Sequence, residues 1–142
     1  MTKNLFTSAT CLAITVLYVI LWGLPGVGKL LAGGVPPWFS STFSPTFLST
    51  FPGLTISFYS IAILETVAAA LALTSLLKGE WFKRKSLFFL QASLVLSLFI
   101  FVQLLFGKAL VREFDAIASL FSYFVGTLFV WFLTSVYFSD QK

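Results

Sequence analysis

The sequence predicts an all-α membrane protein: a bundle of four transmembrane helices with short interfacial helices in the first outer loop. Three observations predict it. The chain is 58% hydrophobic over 142 residues. Only 10% of it is charged, where a soluble domain carries about 25%. It also holds four apolar runs, at residues 5–24, 54–77, 87–106 and 116–138, each long enough to cross a hydrocarbon layer of about 30 Å. These runs use most of the length, so residues 1–142 form a single membrane domain with no room for a separate soluble one. Any chemistry lies in the bundle or its loops.

The composition also excludes chemistry. The chain has no histidine, which removes Ser-His-Asp and Cys-His catalysis, His ligation of haem and the common zinc sites. A single cysteine, Cys11, forms neither an internal disulfide nor a C-x-x-C pair and reads as a small buried hydrophobe. The expectation is therefore of no metal site and no cofactor bound covalently or by metal ligation. The net charge of +4 reads as a topology signal, with the lipid bilayer and not nucleic acid as partner.

The first run, 5–24, is too long for the apolar part of a signal peptide and lacks a cleavage site after it, so it reads as a retained helix. Cys11, Thr15, Tyr18 and Trp22 recur on it at helical spacing and give it one slightly polar face turned towards the other helices. The segment Gly23-Leu24-Pro25-Gly26-Val27-Gly28-Lys29-Leu30 then approximates a P-loop. Leu30 stands where a hydroxyl residue would hold magnesium, and a membrane helix precedes the segment where a strand is required, so no nucleotide is expected. It reads as a glycine-rich helix exit with Lys29 at the interface.

From residue 33 to 53 the chain is too polar for a span. Phe39, Phe43, Phe47 and Phe51 recur every fourth residue, which predicts one or two short interfacial helices with the Phe side inward. Pro36-Pro37 and Ser44-Pro45 both look like helix starts, each with proline at the first helical position. Two readings stay open for this loop, a lid over a cavity and a surface anchor.

The second span, 54–77, carries one carboxylate, Glu65, roughly 16 Å below its start and so about half-way through the membrane. Ionisable groups at that depth are costly and mark a functional site by default. Ala62, Ala68, Ala69 and Ala72 surround it and let a neighbouring helix come close. Glu65 is either a proton-exchanging group or a hydrogen-bonding tie between helices; Thr15, Ser97 and Thr127 fall at similar depth.

Lys78, Lys83, Arg84 and Lys85 lie in the connection to the third span, four of the nine basic residues. With Lys3 and Lys142 on the same side, the positive-inside rule puts this connection and both termini in the cytoplasm. In the third span, 87–106, Gln91 and Gln103 offer interhelical hydrogen bonds. Residues 107–115 form the outer turn, where Glu113 and Asp115 suit the N-terminus of the fourth helix. The fourth span, 116–138, places Ser119, Ser122 and Gly126 on one side.

Taken together, the run Trp22 to Leu30, the loop Gly34-Val35-Pro36-Pro37-Trp38-Phe39 and Ile63-Leu64-Glu65 resemble the DoxX-like family of small four-helix integral membrane proteins. The positions carried over are Gly28 and Lys29 at the end of the first helix and Glu65 in the second. The resemblance implies a bacterial inner-membrane protein that serves a membrane-bound electron-transfer assembly as an accessory or quinone-facing subunit, with other membrane proteins as partners. A quinone is then a candidate cofactor, and Lys29 and Glu65, with Gln103 of the third span beside them, are the candidate residues for it. With no histidine and one cysteine, the chain is not expected to be catalytic alone. A structural subunit of a larger complex and a small proton-coupled transporter are the alternatives.

Overall fold

The computed structural model describes residues 2–83 and 86–139. They form six α-helices: α1 (Thr2–Leu31), α2 (Pro37–Phe43), α3 (Gly53–Lys78), α4 (Glu80–Lys83), α5 (Phe88–Leu110) and α6 (Phe114–Ser139), with a 3-10 turn at Phe47–Ser49. Four of them, at Leu5–Leu31, Gly53–Lys78, Phe88–Leu110 and Phe114–Val136, are long and apolar enough to cross a membrane. The chain is an all-α integral membrane protein.

The bundle is built by α1 packing on α3, α3 on α5, and α5 on α6. On α1 the stripe Cys11, Thr15, Tyr18 and Trp22 is buried, as its spacing predicts. It meets Ala68, Ala69 and Ala72 of α3 and Leu94, Ile100 and Phe101 of α5. Polar side chains tie the helices across this core. The Trp22 indole donates to Ser97 Oγ at 2.7 Å, Tyr18 Oη and Thr127 Oγ1 share a hydrogen bond of 2.6 Å, and Ser93 Oγ donates to the Ala68 carbonyl at 2.8 Å. Thr15 bonds the Cys11 carbonyl of its own helix. Thr15, Ser97 and Thr127 are thus engaged with α1 and its neighbours and not with Glu65. Helix α6 is peripheral: Thr127 and Thr134 are buried, while Ser119, Ser122 and Gly126 face outward.

Several boundaries differ from the sequence reading. The first helix does not exit at residue 24 but runs through Pro25 to Leu31. Proline removes one amide donor, that for the Leu21 carbonyl, yet contact with α3 holds the helix together through it. Ser44 does not start a helix either. It ends α2, and its hydroxyl donates to the Ser41 carbonyl. Pro37 does open α2, with Pro36 as its N-cap residue. The four-residue Phe repeat is split by the bend between α2 and the 3-10 turn, so Phe39 and Phe43 are buried while Phe47 and Phe51 are exposed and stack on each other.

The third membrane helix continues to Leu110, which shortens the outer turn to Val111–Glu113. The Arg112 amide donates to the Ala109 carbonyl and the Glu113 amide to that of Lys108. This is a Schellman closure with Arg112 in the left-handed position, φ 58°, that glycine usually fills. Glu113 pairs with Lys108 across the turn, so its side chain is committed there, and Asp115 lies in the first turn of α6.

On the opposite side Gly79, φ 65°, closes α3. Glu80 then folds back so that its carboxylate accepts the amides of Phe89 and Leu90, each at 3.2 Å. These are two of the four unpaired amides at the start of α5. Arg84, Lys85 and the tail 140–142, on which part of the charge-based orientation rests, lie outside the described residues.

Candidate ligand cavity

Glu65 lies on the buried face of α3 with Ala62, Ala68, Ala69 and Ala72, as the small residues around it predict. Its partner is Lys29. The Lys29 ammonium donates to both carboxylate oxygens, at 2.8 Å and 2.6 Å, and the two side chains are 24% and 3% exposed. A lysine placed at the membrane surface could not reach so deep; the helix register brings it there. Gly26 of α1 sits directly against Thr66 of α3, and Gly23 sits against Ala69. The numbers rise along α1 as they fall along α3, so the two helices are antiparallel and Leu31 lies level with about residue 61 of α3. Helix α1 therefore ends roughly 12 Å below the start of α3 at 1.5 Å per residue. Lys29 stands within about one turn of Glu65.

The space above the end of α1 is flanked by the Phe-rich segment. Phe39, Phe43 and Leu48 pack with Phe58 of α3, the Phe39 and Phe58 rings 5.3 Å apart. Beneath them a cavity of about 440 Å³ opens between α2, α3 and α5. Trp38, Phe39, Phe43, Phe58 and Phe106 give it aromatic walls, and Lys29 lies at its edge. Gln103 also lines it and donates to Ser60 Oγ, while Ser60 Oγ donates to the Ser57 carbonyl. The Lys108–Glu113 pair completes the wall.

No known protein family, curated protein or solved structure matches this chain.

The three residues nominated from the sequence converge on this place. Lys29 and Gln103 line the cavity, and Glu65 holds Lys29 from behind. From the segment 33–53, Trp38, Phe39, Thr42, Phe43 and Leu48 line it. Among the described residues, no group of three His, Cys, Asp or Glu side chains could hold a metal. The Gly23–Leu30 segment is helical, so its backbone does not form a phosphate-binding loop.

The sequence reading missed the contributions of Phe58, Ser57, Lys108 and Glu113. Phe58 had a signal, being aromatic on the same face of α3 as Glu65, seven residues away. Lys108 and Glu113 had none, because an ion pair across a turn looks like any other pair of surface charges.

Chemically the site is compensated. Each lysine at the cavity is paired with a glutamate, so the wall carries no net charge. A lysine ammonium has three N–H donors, and two of those on Lys29 are used by Glu65. The third makes no hydrogen bond among the described residues. The arrangement suits an uncharged ring with a hydrogen-bond acceptor, stacked among aromatic side chains.

Proposed function

We propose that this chain is a DoxX-like subunit of a membrane-bound electron-transfer assembly and that it holds the head group of a quinone in the cavity beneath α2. The observation that carries this reading is the Lys29 ammonium at an aromatic-walled cavity, its charge balanced by Glu65. A quinone carbonyl is a neutral acceptor on a flat ring, which matches the donor and the walls. Gln103, whose side-chain amide has a second N–H beside the one given to Ser60 Oγ, supplies a second donor for the opposite carbonyl or for orienting the ring. Since the chain lacks histidine and has one cysteine, electrons enter and leave through partner proteins, and the chain serves as the quinone-facing member. In this reading it resides in a bacterial inner membrane with both termini cytoplasmic.

Mass spectrometry of the protein purified in mild detergent tests this directly. A co-purifying quinone and a redox protein are expected. A monodisperse protein carrying neither overturns the proposal. Burial of Glu65 directly behind the cavity lysine supports a second reading, proton exchange with a solute. In that case the folded fraction of Glu65→Gln, reconstituted into proteoliposomes, would show no transport.

A further inference from the structure

The outward face of α5 leads away from the cavity as an apolar track. Gln91, Val95, Phe99, Val102 and Phe106 recur at spacings of three and four, which sets them on one face of the helix. Phe106 is at the same time part of the cavity wall. Two grooves follow this face. One, of about 440 Å³, is lined entirely by Val, Leu, Phe and Trp side chains of α5 and α6. The other, of about 490 Å³, continues it towards Phe88 and Gln91 and takes in Leu71 of α3. They share Val95, Phe99 and Trp131. From Phe106 to Gln91 the track runs roughly 22 Å at 1.5 Å per residue.

We infer that this track seats the single long apolar chain of the ligand whose head occupies the cavity, so that the site takes a neutral, ring-headed amphiphile and not a free ring. The inference rests on the cavity reading above. A phospholipid fits the features less well. Of the cations that line the cavity, Lys29 and Lys108, each is already paired, with Glu65 and Glu113, which leaves none for its phosphate there, and it brings two chains to one track. A neutral head with one chain satisfies both the charge balance and the groove.

Two photoreactive probes test this with the full chain in lipid nanodiscs. Each is a 1,4-benzoquinone. One carries a diazirine next to the ring, the other a diazirine at the end of a saturated chain of about ten carbons, long enough to pass from Phe106 to between Phe99 and Val95. The ring probe is expected to label Phe39, Phe43 or Phe58, and the chain probe Val95, Phe99 or Trp131. Excess unlabelled chain-bearing quinone should suppress both.

Val95→Trp, which fills the groove from an exposed position, should lower chain-probe labelling of Phe99 about fivefold, equivalent to roughly 1 kcal/mol, and leave ring-probe labelling unchanged. Chain-probe labelling that resists competition, or that spreads equally to the exposed Leu17 and Ile20 of α1, would overturn the chain seat while competed ring labelling left the cavity reading standing. If neither probe is competed, both fail together.

Discussion

Gly26 and Thr66 are in backbone contact: a β-carbon on Gly26 would come within 2.8 Å of the Thr66 amide nitrogen and 3.0 Å of the Glu65 β-carbon. Helix α1 must therefore move away from α3 to accept any side chain there. Gly26→Ala should destabilise the protein by about 1–3 kcal/mol, the usual cost of overpacking a tight contact. It should also loosen Lys29 from Glu65. Gly28, with nothing within 4 Å of its β-carbon position, is the control: Gly28→Ala should be neutral or gain up to about 1 kcal/mol from helix propensity. Thermal unfolding of the two variants in one detergent separates them.

Removing one member of the Lys29–Glu65 pair leaves the other buried and uncompensated. Lys29→Met should cost about 3 kcal/mol, in the range found for broken buried pairs. Adding Glu65→Leu to it should recover most of the loss, because no charge then remains to be solvated. A double-mutant cycle by chemical denaturation in mixed micelles measures the coupling, and a coupling near zero would show that the pair does not hold the helices together.

Glu80 should act as the cap of α5. Glu80→Ala removes the acceptor for Phe89 and Leu90 and should cost about 1 kcal/mol, as other lost N-caps do. Amide hydrogen exchange at those two residues is the specific readout: it should accelerate there and stay unchanged in the middle of α5.

Arg112 sits in a backbone conformation that costs an L-residue about 1–2 kcal/mol. Arg112→Gly should relieve part of this strain and raise the midpoint of thermal unfolding. A fall would mean that the arginine side chain makes a compensating contact.

Cysteine labelling in a Cys11→Ala background checks orientation. Ser41→Cys, on α2, and Lys83→Cys, in the basic connection, should react with a membrane-impermeant reagent from opposite sides. Reaction from one side would overturn the four-span topology.

The four spans and the buried stripe of α1 were legible in the sequence because both depend on periodicity and length, which local composition encodes directly. The meeting of Lys29 with Glu65 was only half legible. Both residues stood out, but the density of Gly and Pro from Gly23 to Gly28 reads locally as the end of a helix. The glycine that decides the matter, Gly26, is there for close approach to another helix, and that is a property of the pair of helices and not of either sequence segment. The same limit explains the Phe repeat, whose even spacing hides the bend after Phe43. It also explains Glu80, whose partners lie across a turn inside the most basic stretch of the chain.

Lys29 and Glu65 both belong to the first two membrane-crossing helices, which has a consequence for biosynthesis. A lone glutamate at the centre of a membrane helix costs on the order of 3 kcal/mol during insertion. Because α1 and α3 are neighbours in both sequence and space, the lysine is already in the membrane when the carboxylate arrives. The two can close on each other while α5 and α6 are still being translated. Assembly then proceeds by adding α5 and α6 to a hairpin that is already electrically neutral in its interior, and variants of Lys29 should show their defect at the insertion of α3, before any ligand is bound.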